Sequence, residues 1–230
     1  MNLEARIAAV RQRIANAVRD AGREPDSVKL VAVSKTQPPQ VLDAALELGL
    51  RCLGENKVQE AATKLPLLTR AIPEFHFIGH LQSNKINKLM PLNPALVHSI
   101  DKLSTARKLH LWLERHDRTQ DVLVQVNTSG EASKSGIEPD ETHSFCRQLA
   151  ELPRLRLRGL MTIGALTTDM ERVRDCFRLL AGLRARLFND GLHMATELSM
   201  GMTSDFELAI AEGATIVRIG SAIFGVRQTQ

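Results

Sequence analysis

Two residues carry a charge where an apolar strand pattern should not. Lys35 closes the run LVAVSK (30–35), and a turn through Pro38 and Pro39 follows at once. A buried ammonium group is costly unless it is paired or gives up its proton. Deprotonated, it is a nucleophile toward a carbonyl. Arg218 interrupts ATIVRIGSA (214–222), and a guanidinium inside such a strand calls for an anion. Two turns could bind one. SMGMTSD (199–205) offers Ser199, Gly201, Thr203 and Ser204, and RIGS (218–221) offers Gly220 and Ser221. Glycine lets a ligand approach backbone N–H groups and hydroxyls add further donors, which is phosphate chemistry. Taken alone, Lys35 reads as a strand-end side chain reaching solvent, and the glycines as plain turn residues.

The elements that must position these residues show in the hydrophobic pattern. Leu3, Ile7, Val10, Ile14 and Val18 recur at helical spacing, and Gly22 marks the stop. Eight apolar runs follow, at 29–35, 51–56, 75–80, 96–101, 121–127, 155–164, 197–201 and 215–225. Most are apolar at consecutive positions, as in parallel strands buried on both faces. Helical segments such as PQVLDAALELGL and RVRDCFRLLAGLRARLF lie between them. The expectation is an α/β fold, a single (β/α)8 TIM barrel with an extra N-terminal helix, forming one domain over 1–230. A doubly wound open sheet is the rival. Lys35, Asn56, His80, Asp101, Asn127, Gly164, Gly201 and Gly220 all fall at C-terminal strand ends, where barrels of this kind place function. By strand parity Arg218 shares a face with Ile216 and Gly220, and Lys35 with Val31 and Val33. If the sheet closes, strands 1 and 8 are neighbours. Two buried cations and two phosphate-ready turns then meet in one pocket. A phosphate-bearing aldehyde held there as a Schiff base describes pyridoxal 5′-phosphate.

These residues lie in segments that together resemble a known family: AVSKTQP (32–38), GENKVQE (54–60), FHFIGHLQSNK (75–85), SKSGI (133–137), LRGLMTI (157–163), LSMGMTSD (198–205) and VRIGSAIFG (217–225). The chain is similar, over nearly its whole length, to the pyridoxal-phosphate homeostasis proteins and to the N-terminal barrel of alanine racemase. The resemblance implies that Lys35 carries the cofactor covalently as an internal aldimine. It implies that Ser199, the Met200–Gly201 backbone, Gly220 and Ser221 hold the phosphate. Arg218 would face the pyridine nitrogen and Asn56 would approach the ring. Two positions depart from the family: Lys57, where relatives often carry an aromatic residue, and Gln37, where many carry lysine. SKSGI matches, but its Lys134 has no role that the sequence reveals.

Composition narrows the alternatives. The 230 residues, 43% apolar and 24% charged, suit a globular domain with a sizeable core. Cys52, Cys146 and Cys176 are odd in number and far apart, which excludes a disulfide framework or zinc knuckle and favours a cytoplasmic setting. No signal peptide or membrane span is expected. His76 and His80 lie four apart on a strand, ~13 Å at strand rise, so they share no metal and no metal is expected. His76 reads as a satisfied core residue and His80 as part of the pocket mouth. A net charge of +4 without interleaved aromatics gives no nucleic-acid site, and Lys85 and Lys88 read as a solvated helix face. Ser199 lies outside any G-x-S-x-G elbow. An arginine at the pyridine nitrogen disfavours its protonation and weakens the electron sink. The alanine racemase pattern also needs a tyrosine base, and the chain has no tyrosine. No second, β-rich domain is expected either. The expectation is a non-enzymatic, monomeric carrier or regulator that holds the cofactor for pyridoxal-phosphate-dependent apoenzymes. The alternative is a small racemase-like enzyme acting on amino acids.

Overall fold

The computed structural model describes residues 2–225. Met1 and 226–230, which the expected domain includes, lie outside the described residues. Eight parallel strands close in sequence order: β1 (Lys29–Val33), β2 (Cys52–Glu55), β3 (Glu74–Phe77), β4 (Leu96–Ile100), β5 (Gln120–Gln125), β6 (Leu155–Met161), β7 (Glu197–Ser199) and β8 (Ile216–Ile219). The open-sheet rival is thereby excluded, because β1 pairs with β8 from Lys29↔Ile216 to Ala32↔Ile219. The helices are α1 (Leu3–Asp20), α2 (Pro39–Glu47), α3 (Val58–Lys64), α4 (Ile86–Leu89), α5 (Leu103–Arg115), α6 (Thr142–Ala150), α7 (Met170–Asn189), α8 (Phe206–Ala211) and α9 (Ser221–Phe224).

Strand alternation separates two cores. Ala32, Leu53, Val97, Val122, Val217 and Ile219 face outward and join the main cluster beneath the helices. Val31, Cys52, Leu96, Leu123, Met161 and Ile216 form a second cluster that fills the barrel, as packing of this fold requires. The N-terminal helix forms as its spacing predicts. Asn2 caps α1 by accepting from Ala5 N–H, and Ile7, Val10, Ile14 and Val18 are buried. Helix α1 lies against α8 and α9, and Arg13 reaches Glu207 at 2.6 Å.

Two of the differences from the sequence pattern at strand ends bear on the site. The run 215–225 is not one strand: β8 stops at Ile219, and the apolar residues after Gly220 belong to α9. Strand β1 stops at Val33, so Lys35 lies in the following turn.

Candidate functional site

The turn that carries Lys35 is held from behind. Ser34 N–H donates to Gly54 O at 2.9 Å, continuing the β1–β2 ladder, and Gln37 N–H donates back to Ser34 O at 3.1 Å. Lys35 and Thr36 are the two central residues of that turn. Thr36 has φ of 65°, a conformation that costs a β-branched residue of order 1–3 kcal/mol and survives only where neighbours impose it. Glu60 imposes it by accepting from Thr36 N–H. Beneath lies a buried network. Glu55 accepts from Ser34 Oγ at 2.5 Å and pairs with Lys64 Nζ at 2.6 Å. Lys64 also donates to Ser34 O at 2.8 Å and pairs with Glu60 at 2.9 Å. Burial pushes the Glu55 carboxyl above the usual carboxylate range, while Lys64 and Ser34 pull against that shift. The expectation of two buried cations is therefore corrected. Lys35 itself is exposed at the rim, because the chain turns out of the sheet at Ser34. The buried lysine is Lys64.

Strands β7 and β8 place the two glycine turns beside that rim. A Cβ on Gly220 would stand 3.2 Å from Val33 Cβ and O, a tight contact, so glycine suits the close approach of the end of β8 to the end of β1. Ser221 Oγ lies 3.1 Å from Thr203 Oγ1, which joins the two turns through a pair of hydroxyls. Asp205 accepts from Met202 N–H at 2.6 Å and fixes the first turn. The parts expected of Ser199 and Met200 are revised. Ser199 is buried, and its Oγ is engaged by Arg218 and His98 inside the barrel. Met200 is also buried, and its N–H donates to Ile216 O. Both are buried, and Gly201, Thr203, Gly220 and Ser221 belong to the two turns at the C-terminal end of the barrel.

Arg218 points into the barrel, as strand parity predicts. It donates from Nη1 to Ser199 Oγ at 2.6 Å and from Nη2 to Thr162 O at 2.9 Å. Burial lowers its pKa to about 10, against the opposing field of Asp205. It therefore stays charged at neutral pH; among the described residues its side chain donates only to neutral acceptors, Ser199 Oγ and Thr162 O, with three of its five donors left for another acceptor. His98 and His76 continue inward. His98 Nδ1 is 2.9 Å from Ser199 Oγ, and His98 Nε2 is 3.0 Å from His76 Nδ1. His76 is thus the satisfied core residue expected of it. Burial, aided by Lys29, holds His76 down to about 4. Burial, with His76 and Arg218, holds His98 well below its usual value.

This gives a signed pH dependence. An unfolded His76 takes up a proton below pH 6.5, whereas the folded one refuses it until about 4. The stability is fully present above pH 6.5 and is lost as pH falls toward 4. His76 alone should cost ~2 kcal/mol between pH 7.5 and pH 5, and His98 adds a loss of the same sign. Urea unfolding at the two pH values measures it. An unchanged or rising midpoint at pH 5 would contradict burial of neutral imidazoles.

Asn56 follows the last residue of β2. Its Oδ1 is buried and has no hydrogen-bond partner, and a Cβ on Gly79 would fall 1.9 Å from its backbone oxygen. His80 is exposed and pairs with Asp101 at 3.2 Å, far from the interior partners of His76. Lys134 bridges Glu131 and Gly164 O, each at 2.8 Å, so it ties the loop after β5 to the end of β6. Lys57 is exposed. Sequence reasoning assigned no role to Glu55, Glu60, Lys64 or His98. The signals available were a glutamate within the apolar run RCLGEN and a histidine within LVHSID.

Residues 6–228 match the family described as "Alanine racemase, N-terminal domain". A pyridoxal phosphate homeostasis protein of Aquifex aeolicus is 42% identical over 228 residues, which is 99% of this chain and 100% of that protein. The chain belongs to the pyridoxal phosphate homeostasis protein family. Solved structures agree with that membership. A protein from Bifidobacterium adolescentis superposes with a TM-score of 0.92 at 39% identity, covering 96% of this chain and 94% of that one. PipY of Synechococcus elongatus PCC7942, solved with pyridoxal phosphate bound, superposes with a TM-score of 0.85 at 33% identity, covering 97% and 100%.

Proposed function

We propose that this member of the homeostasis family binds pyridoxal 5′-phosphate at the C-terminal mouth of its barrel and carries it without turning over a substrate. The observation that carries the reading is the junction of β1 and β8, where Gly220 against Val33 sets the phosphate turns beside the turn of Lys35. Lys35 Nζ would form a Schiff base with the cofactor's aldehyde, releasing water. Gly201, Thr203, Gly220 and Ser221 would hold the phosphate. Arg218 would donate to the ring nitrogen, and Asn56, whose buried Oδ1 has no partner, would approach the ring. The residues fit the group: a buried cation with spare donors, an orphaned acceptor and a paired-hydroxyl cradle. The bound cofactor supplies an electrophilic aldehyde and an electron-withdrawing ring. A guanidinium cannot give up its proton to that ring, so the sink stays weak, and the chain contains no tyrosine to act as a second base.

Carriage for apoenzymes, a monomeric state and a cytoplasmic setting belong to the same proposal. Among the described residues no helix is long and apolar enough to cross a membrane. Protein loaded with pyridoxal 5′-phosphate and freed of excess should restore activity to a pyridoxal-phosphate-dependent apoenzyme, while alone it leaves the chirality and amount of added amino acids unchanged. Sustained racemisation that disappears in Lys35→Ala would overturn the carrier reading in favour of a racemase-like enzyme.

A further inference from the structure

A line of polar groups crosses the barrel from a solvent-exposed pair at its floor through the buried His76, His98 and Ser199 to Arg218. Lys29 and Glu74 open β1 and β3 at the N-terminal mouth, where they line a cavity of about 180 Å³ with Asp121, Arg158 and Glu197. Lys29 Nζ lies 2.5 Å from Glu74 Oε2, which lies 3.1 Å from His76 Nε2. The line continues through His98 and Ser199 to the guanidinium at the distances given above. We infer that Glu74, His76 and His98 are positioning residues: with Ser199 they form a hydrogen-bonded line of single polarity that holds Arg218 for the cofactor's ring nitrogen. The inference rests on the proposed role of Arg218.

The two ends dictate the polarity. A carboxylate paired with lysine only accepts, and a guanidinium only donates. His76 must therefore donate from Nε2 to Glu74, which leaves its Nδ1 to accept. His98 must donate from Nε2 to His76 Nδ1, which leaves its own Nδ1 to accept. Ser199 must then donate its hydroxyl proton to His98, and its lone pairs face Arg218. In this arrangement no N–H meets an N–H. A hydroxyl free to rotate could offer Arg218 either a lone pair or a proton; this one is locked as an acceptor. That lock matters because Arg218 is buried and, among the described residues, has no carboxylate in hydrogen-bond contact. Cys52 Sγ also lies near the Glu74 and His76 ligand atoms, all within 4.8 Å of one another. The ammonium of Lys29 is the cation beside Glu74.

The test has two parts. Long-range 1H–15N spectra of histidine-labelled protein without cofactor, at pH 7, should show His76 and His98 both as neutral Nε2–H tautomers, assigned from His76→Gln and His98→Gln. A proton on Nδ1 of either ring overturns the polarity, whatever the protein binds. Equilibrium dialysis against pyridoxal 5′-phosphate then compares two variants. His98→Leu removes the acceptor for Ser199 and should weaken binding tenfold or more, roughly the worth of a hydrogen bond to a charged group. His98→Gln keeps a carbonyl toward Ser199 and an N–H toward His76, and should restore binding to within about threefold of wild type. Unchanged binding in a folded His98→Leu, or no rescue by His98→Gln in a folded protein, overturns the positioning role. Wild-type protein that shows both tautomers but binds no cofactor would instead refute the proposed function and leave the polarity standing.

Discussion

Lys35→Ala should emerge from gel filtration without pyridoxal 5′-phosphate, where the wild-type protein retains it. The substitution removes the only proposed covalent link and little else. Lys35 is exposed, and the shape of its turn is enforced by Ser34, Glu55, Glu60 and the positive φ of Thr36. Stability should therefore change by no more than ~0.5 kcal/mol, the usual range for a surface site. The phosphate turns and Arg218 remain, so the variant should still bind the cofactor weakly and reversibly in dialysis. Full retention by Lys35→Ala would show that another amine carries the link, with Lys57 and Lys134 as the lysines to examine.

Lys64→Met should be the most damaging single change near the site. Lys64 is 6% exposed and Glu55 is fully buried. Removing one member of such a pair strands the other, which typically costs ~3–5 kcal/mol. The loss should depend on pH. Without Lys64, burial dominates the Glu55 carboxyl and raises its folded pKa further above the unfolded value. A raised carboxyl contributes stability below its unfolded pKa and loses it as pH rises through the folded pKa. The deficit should thus be larger at pH 8 than at pH 5, as urea unfolding would show. Replacing both partners, with Glu55→Met and Lys64→Met, should recover much of the loss. The single variant should also loosen the Lys35 turn, because Lys64 Nζ holds Ser34 O at 2.8 Å.

How far these features can be read without a structure depends on how local they are. The eight strands are legible because a parallel strand buried on both faces is apolar at consecutive positions. Lys35 and Arg218 stand out because each breaks that pattern. The parity of β8 turns Arg218 inward as predicted, since register and alternation are local properties. Lys35 was misplaced because parity holds only while the strand lasts, and β1 ends two residues earlier at Val33. The apolar residues after Gly220 misled for the opposite reason: a short helix that buries one apolar side chain, Ile223, and a strand share one composition. Glu55 and Lys64 meet from β2 and α3, and in sequence Lys64 looks like any solvated helix lysine. The contact of His98 with Ser199 joins residues 101 positions apart, and no spacing rule connects β4 to β7 across a barrel. Ser199 was therefore assigned to the phosphate turn that it precedes, instead of to the interior that it faces.

The central claim is a covalent pyridoxal 5′-phosphate site at Lys35, and one experiment addresses it directly. Purified protein is incubated with the cofactor, its absorption spectrum is recorded, and the sample is reduced with borohydride, digested and mapped. A protonated Schiff base should absorb near ~420 nm, and reduction should fix the label on the peptide that contains Lys35. No such band, or a label confined to Lys57 or Lys134, would contradict the account.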